Sequence, residues 1–323
     1  MEIFRIASAL QRPDTFPAVL ATLVSIEGSS YRRTGARLLW TQQGARIGSI
    51  SGGCLESDLV AQAQILINSE ARTHLATYDT TSENDLVWGV GTGCHGIVRI
   101  LLERVDSPPA WTQRVLETQT ARRTSQLFVT WSADPKRASG THHDQPPEGN
   151  TTVLTCVVTP PQRVVVCGAG DDVRPLTELC HSLGWSVEVI DPRPAMATPT
   201  RFPAADSVRC IPAESTATAV LWDDHTVAVI MTHHYRYDLP LLQTLGPLNL
   251  PYLGLLGPKQ RGERICRDAG LDDLSAIHSP LGLDLGGDGA EAVALSIVAE
   301  IQATLHRRSA ANLSARERSI HAD

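Results

Sequence analysis

Long apolar runs are missing from this chain, and with them the simplest membrane architecture. No stretch approaches the roughly 20 apolar residues that a bilayer-spanning helix requires. The amino terminus, MEIFRIASALQRPDTF, has no apolar core followed by a small-residue cleavage site, so it does not read as a secretory signal. Lysine is almost absent, Lys136 and Lys259 being the only two, and arginine supplies the rest of the positive charge. The 28 basic and 35 acidic residues leave a net charge of −7, which argues against a nucleic-acid partner because phosphate binding needs a concentrated basic face. No C-x-x-C pair occurs among the seven cysteines, and their odd number points to reduced thiols. H-E-x-x-H, G-x-S-x-G, P-loop and zinc-ribbon patterns are missing too. These absences together predict a soluble, cytoplasmic protein with no nucleic-acid and no membrane partner.

What is present suits an ordinary globular chain: 323 residues, 42% apolar and 20% charged, long enough for two cores. Residues 1–105 read as an α+β domain. A short amphipathic helix (2–11) precedes strands at 17–28, 36–41 and 45–50. A helix follows on which Leu55, Leu59, Ala63 and Leu66 recur at helical spacing, then strands at 73–79 and 96–105. Residues 106–162 read as a connecting segment, with a helix near 111–121, two strands, and a turn-rich mobile loop whose two histidines are solvated. Residues 163–306 alternate strand and helix, which implies a parallel sheet covered on both faces. The tail, 307–323, has no core pattern. The fold class is therefore α/β, a carboxy-terminal Rossmann-like domain joined to an amino-terminal α+β domain.

Three segments carry chemistry. The turn Gly168-Ala169-Gly170 sits where a strand feeds a helix, and Asp191 ends the next strand. This is the pattern of a dinucleotide turn: glycines for the turn, a helix end for phosphate, an acid for ribose. Val173 at the third glycine position would crowd helix against strand. Asp171 and Asp172 would occupy the orphan N–H groups of the helix. Both features disfavour NAD(P).

The second segment, GSISGGCLE, places Cys54 at a glycine-rich helix entry beside Gly52, Gly53 and Glu56. Unpaired N–H groups and the positive helix end would lower the thiol pKa there. The third, GTGCHG, sets Cys94 among glycines. Two such thiols suggest a soft-ligand site, contacting molybdenum or its sulfur donor. Cys156, Cys167, Cys180, Cys210 and Cys266 lack that context and read as packing residues.

GSISGGCLE and GTGCHG resemble the signature loops of the XdhC/CoxI proteins, accessory factors of xanthine and carbon monoxide dehydrogenases. VVVCGAGDDV with VIDPR, MTHHYRYDLPLL, YLGLLGPKQR and SPLGLDLGGDGAEAVALSIVAEI are similar to their Rossmann domain. The resemblance implies a protein that binds molybdenum cofactor (molybdopterin), protects it during sulfuration and assists its insertion into an apo-molybdenum hydroxylase. It implies a homodimer and contact with a cysteine desulfurase. Cys54 and Cys94 fall on the family's cysteine positions, and Gly52, Gly53 and Glu56 on neighbouring ones. Asp171 departs from a common histidine and His95 from a common glycine; His234 and Pro258 also depart.

Thr232, His233 and His234 end a parallel strand, so they should face the same crevice as Gly168 and Gly170. Alternation along an extended strand would separate the two histidines, leaving His233 the better candidate. Lys259 and Arg261 start a helix, where they would hold a phosphate or form a solvated face. A competing reading is an NAD(P)-dependent oxidoreductase with His233 as acid or base.

Overall fold

The structure, a computed structural model, describes residues 2–53, 55–79, 96–132, 139–143, 145, 152–271 and 276–315. The chain forms two compact units, Met1–Pro160 and Pro161–Asp323. Among the described residues no helix is long and apolar enough to cross a membrane.

The first unit opens with α1 (Glu2–Ala9), β1 (Ala18–Gly28), β2 (Arg37–Thr41), β3 (Arg46–Gly48), α2 (Glu56–Ile67), β4 (Thr73–Asp79) and β5 (Gly96–Val105). The strands make a five-stranded antiparallel sheet in the order β3-β2-β1-β5-β4. Side chains alternate across β1, and both faces find partners. Val19, Ala21 and Leu23 pack with Leu59, Ala63 and Leu66 of α2. Ala18 and Leu20 pack with Phe4, Ile6 and Leu10 at the amino terminus. Burial on both sides is why AVLATLV reads as a continuous apolar run without a polar period.

The stretch expected as a connector has its own structure: α3 (Ala110–Ala121), then β6 (Ser125–Trp131), β7 (Gly140–His142) and β8 (Thr152–Val158) in a three-stranded antiparallel sheet, order β7-β6-β8. Strand β7 falls inside the segment expected as a loop, and His142 is correspondingly half-buried, its Nε2 3.1 Å from Thr130 Oγ1. Glu103 on β5 accepts from Thr141 N at 2.6 Å and from Thr141 Oγ1 at 2.7 Å. A buried acceptor distant in sequence therefore fixes β7, which local turn propensity does not foretell.

The second unit runs β9 (Arg163–Cys167), α4 (Val173–Ser182), β10 (Ser186–Asp191), β11 (Ser207–Cys210), α5 (Thr216–Ala219), β12 (Thr226–Ile230), α6 (Tyr235–Leu245), β13 (Leu253–Leu255), α7 (Lys259–Asp268) and α8 (Ala290–Leu305). All five strands are parallel, in the order β11-β10-β9-β12-β13. Two cores cover the sheet. Val164 and Val166 of β9 pack under α4 and α8 with Leu176, Cys180, Ile297 and Ile301. Val165 and Cys167 pack under α6 and α7 with Leu241, Leu245 and Ile265. Each fully buried Val or Leu contributes roughly 1.5–3 kcal/mol, so a strand apolar on both faces strongly favours this central place. The sequence reading omitted β11 and α5, which are short and mostly exposed. The strand order reverses between β9 and β12, so their carboxyl ends open the crevice where such sheets bind ligands.

Candidate functional site

In the first unit the site is a loop organised around one carboxylate. Glu56, the first residue of α2, is buried and turns its side chain back toward the chain that precedes the helix. It accepts five hydrogen bonds: from Ser49 Oγ (2.9 Å), Ile50 N (3.2 Å), Ser51 N (2.8 Å), Gly53 N (3.0 Å) and Ser51 Oγ. Ser51 Oγ in turn accepts from Leu55 N at 2.9 Å. Burial alone would raise this carboxyl, but the hydroxyl and backbone donors of Ser51 and Ser49 outweigh it and lower it to about 2. Gly53 has φ +119°, a conformation closed to other residues, and a side chain built there would meet nothing within 4 Å. The backbone on both sides of position 54 is thus pinned, with an open face at Gly53.

The N–H groups expected to be unpaired and to lower the Cys54 thiol are instead held by Glu56 and Ser51. Cys54 itself, like Cys94 and His95, lies outside the described residues.

In the second unit the expected residues Gly168, Gly170, Asp191 and His233 gather at the carboxyl ends of β9, β10 and β12. Gly168 has φ +131°, and a Cβ there would overlap the Met231 carbonyl and stand 2.8 Å from Thr232 N. Only glycine lets the turn pass this close to the end of β12. Gly168→Ala should lower the stability of this unit by roughly 2–4 kcal/mol, read as a drop in its thermal midpoint, since the new methyl meets backbone that cannot give way.

Asp191 is fully buried and accepts four hydrogen bonds: from Ala169 N (2.8 Å), Arg193 N (2.8 Å), Arg193 Nε (2.8 Å) and Arg193 Nη2 (2.7 Å). Burial would raise its pKa, but these donors hold it below the usual carboxylate range. A ribose hydroxyl would have to displace Arg193 to reach it. Asp191 fastens the glycine turn to the end of β10.

Three expectations about this turn need correction. Neither Asp171 nor Asp172 caps α4: Asp172 occupies the N-cap position without a side-chain cap bond. Asp171 pairs with Arg201 at 2.7 Å, and Asp172 Oδ2 lies 2.7 Å from His233 Nε2. Arginine and histidine therefore draw off the acids expected to block the helix end. Val173 does not wedge helix from strand either; it is part of the core. His233 has φ +59°, past the end of β12, so strand alternation does not govern which way it points. Its hydrogen bond to Asp172 raises its pKa.

Arg261 Nη2 meets the buried Asp238 at 2.5 Å and its Nη1 donates to Leu256 O at 3.2 Å; Thr232 Oγ1 donates to the same aspartate. Of the two cations expected to offer a phosphate site, Arg261 is committed to Asp238, and Lys259 is exposed. The arginines that pair with these acids (193, 201 and 261) gave no sequence signal that they would meet, since they come from three separate connections.

The other described thiols are packing groups. Burial pushes Cys180 up to about 12 and raises Cys167 and Cys266 as well. Cys210 is exposed. Among the described residues no cluster of three or more His, Cys, Asp or Glu side chains could hold a metal ion.

Comparison with known proteins agrees with this division. Residues 164–301 match the family described as the XdhC Rossmann domain, and residues 14–79 match the XdhC and CoxI family. A Bacillus subtilis (strain 168) protein, named as one of the probable subunits of xanthine dehydrogenase, is 35% identical over 91% of this chain and 95% of its own length. The molybdenum cofactor insertion chaperone PaoD of Escherichia coli (strain K12) is 22% identical, over 88% of this chain and 82% of its own. A Bacillus halodurans crystal structure, described as a xanthine dehydrogenase, superposes with a TM-score of 0.84 at 30% identity and covers 98% of both chains.

Proposed function

The chain belongs to the XdhC and CoxI family, and on that premise we propose that it is an accessory protein that binds molybdenum cofactor and delivers it to a molybdenum hydroxylase. In this reading it protects the cofactor during sulfuration, which brings a cysteine desulfurase and the apo-hydroxylase to it as partners, and it works as a homodimer in the cytoplasm. The observation that carries the reading is the thiol loop. Five hydrogen bonds to Glu56 hold the backbone around position 54 in place before any ligand arrives, with glycine on its open side.

The donor set fits the cofactor in part. A thiolate at Cys54, with Cys94 as a second, is the soft ligand that molybdenum and sulfur chemistry favours. The loop N–H groups at 50, 51 and 53 are held by Glu56, so they do not add an anion seat there. When bound, the cofactor would supply the molybdenum centre; this chain's residues hold it, shield it and release it. The crevice of the second unit, with Gly168, Gly170 and His233, would serve the phosphate end or a partner surface.

The test is pterin content. The protein is expressed with an active molybdenum-cofactor pathway, purified, and denatured under oxidising conditions, and the fluorescent pterin derivative is measured. The expected result is near-stoichiometric pterin in the wild type and its loss in Cys54→Ser. A folded wild type that carries no pterin but binds NAD(H) in calorimetry would replace this reading with the oxidoreductase.

A further inference from the structure

The turn between β1 and β2, residues 29–35, comes up against the thiol loop. The ring of Tyr31 lies beside Gly52: a Cβ built on that glycine would stand 3.5 Å from Cε1, 3.6 Å from Cδ1 and 3.7 Å from Cζ. Yet Tyr31 remains 63% exposed. An aromatic ring ordinarily loses exposed apolar surface by folding onto neighbouring side chains. Here the neighbour is a glycine, which offers no side chain. The loop that carries it cannot rise to cover the ring either, because Glu56 grips it at Ser49, Ile50, Ser51 and Gly53. Next to the ring, Gly53 leaves open space.

The charge of the turn is of one sign: Arg32 and Arg33 follow the tyrosine, and residues 29–35 contain no acid. Arg32 gives part of its charge to Glu2 at 3.1 Å, and Arg33 is exposed. A flat aromatic surface kept exposed, an open glycine floor and net positive charge are together what a planar, anionic heteroaromatic ligand needs.

We propose that Tyr31 is a stacking platform for the pterin ring of the cofactor, with Gly52 and Gly53 as the adjoining floor. The inference rests on the cofactor reading above and deepens it. It assigns the ring system to the turn after β1, leaving the metal end to the thiols. Stacking of a bicyclic base on an aromatic side chain is sequence-tolerant and strong enough to dominate such a site. Arg32 and Arg33 add long-range attraction for an anion and are not required to touch the ring.

The experiment measures binding of neopterin, a pterin without metal or dithiolene, to the full-length protein by fluorescence anisotropy. Wild type and Tyr31→Phe should bind alike, since the ring is kept, and Tyr31→Ala should bind about ten-fold or more weakly. The position is exposed, so all three should unfold at the same temperature, which separates loss of stacking from loss of fold. Equal binding by Tyr31→Ala, or no binding of neopterin by the wild type, overturns the platform. Neither result touches the cofactor reading, which stands or falls on pterin carried by the purified wild type and lost in Cys54→Ser.

Discussion

Glu56→Ala is expected to cost about 3–5 kcal/mol, the range for removing one partner from a buried, hydrogen-bonded charge. Three backbone N–H groups and two hydroxyls converge on that carboxylate, and alanine leaves all of them without it. The same change should abolish cofactor retention even though Cys54 is intact, because the loop beside it loses its template. Chemical denaturation at neutral pH measures the first effect and pterin content the second. Retention at the wild-type level would mean that the loop keeps its shape without Glu56.

The pH dependence follows from the same group. Folding lowers its pKa from 4.5 to about 2. The folded state thus binds the proton less readily than the unfolded state, and the stabilisation is fully present above about pH 4.5. It is lost as pH falls from there through about 2, and amounts to about 3 kcal/mol at neutrality. Glu56→Gln should therefore flatten the stability profile between those limits, while wild type loses stability steadily. A variant with the wild-type acid limb would show that other carboxylates set it.

Asp191→Ala should lower the stability of the second unit by roughly 2–4 kcal/mol, less than for a fully enclosed pair because Arg193 is partly exposed and can be rehydrated. Four hydrogen bonds disappear, and Ala169 N loses the acceptor that holds the glycine turn against β10. The measurement is a shift in the unfolding midpoint together with faster hydrogen exchange at residues 168–170. An Asp191→Ala protein as stable as wild type, with exchange unchanged, would rule out the tie. A residue kept for a ribose would behave in that way, being dispensable to the empty protein.

Much of the fold was legible because its signals are local. The run RVVVCGAG followed by DDVRPLTELC announces a strand, a turn and a helix, and the strand appears at β9 and the helix at α4. Leu59, Ala63 and Leu66 face the core as their spacing predicts. The misses have local causes as well. Strand β7 is three residues long in a turn-rich stretch, and a carboxylate on β5 holds it. The acids after Gly170 read as helix caps because capping is the commonest local use for such residues. Arg201 and His233 take them instead, from 30 and 61 residues away. Tyr31 carried no signal, since a tyrosine in a turn becomes a platform only if something bare lies against it.

The sequence alone determined the two kinds of sheet, the order of strands and helices around the glycine turn, and the positions of Cys54 and Cys94 among glycines. Those features depend on periodicity and backbone permissiveness, which are properties of neighbouring residues. Only the tertiary structure decided which charges neutralise one another. It gave Asp191 to Arg193, Asp171 to Arg201 and Asp238 to Arg261, and it filled the loop of the first unit with Glu56. Coulombic and hydrogen-bond energies fall off over a few ångströms. The partner of a buried charge is therefore whatever the fold brings within that distance, however far apart the two lie along the chain.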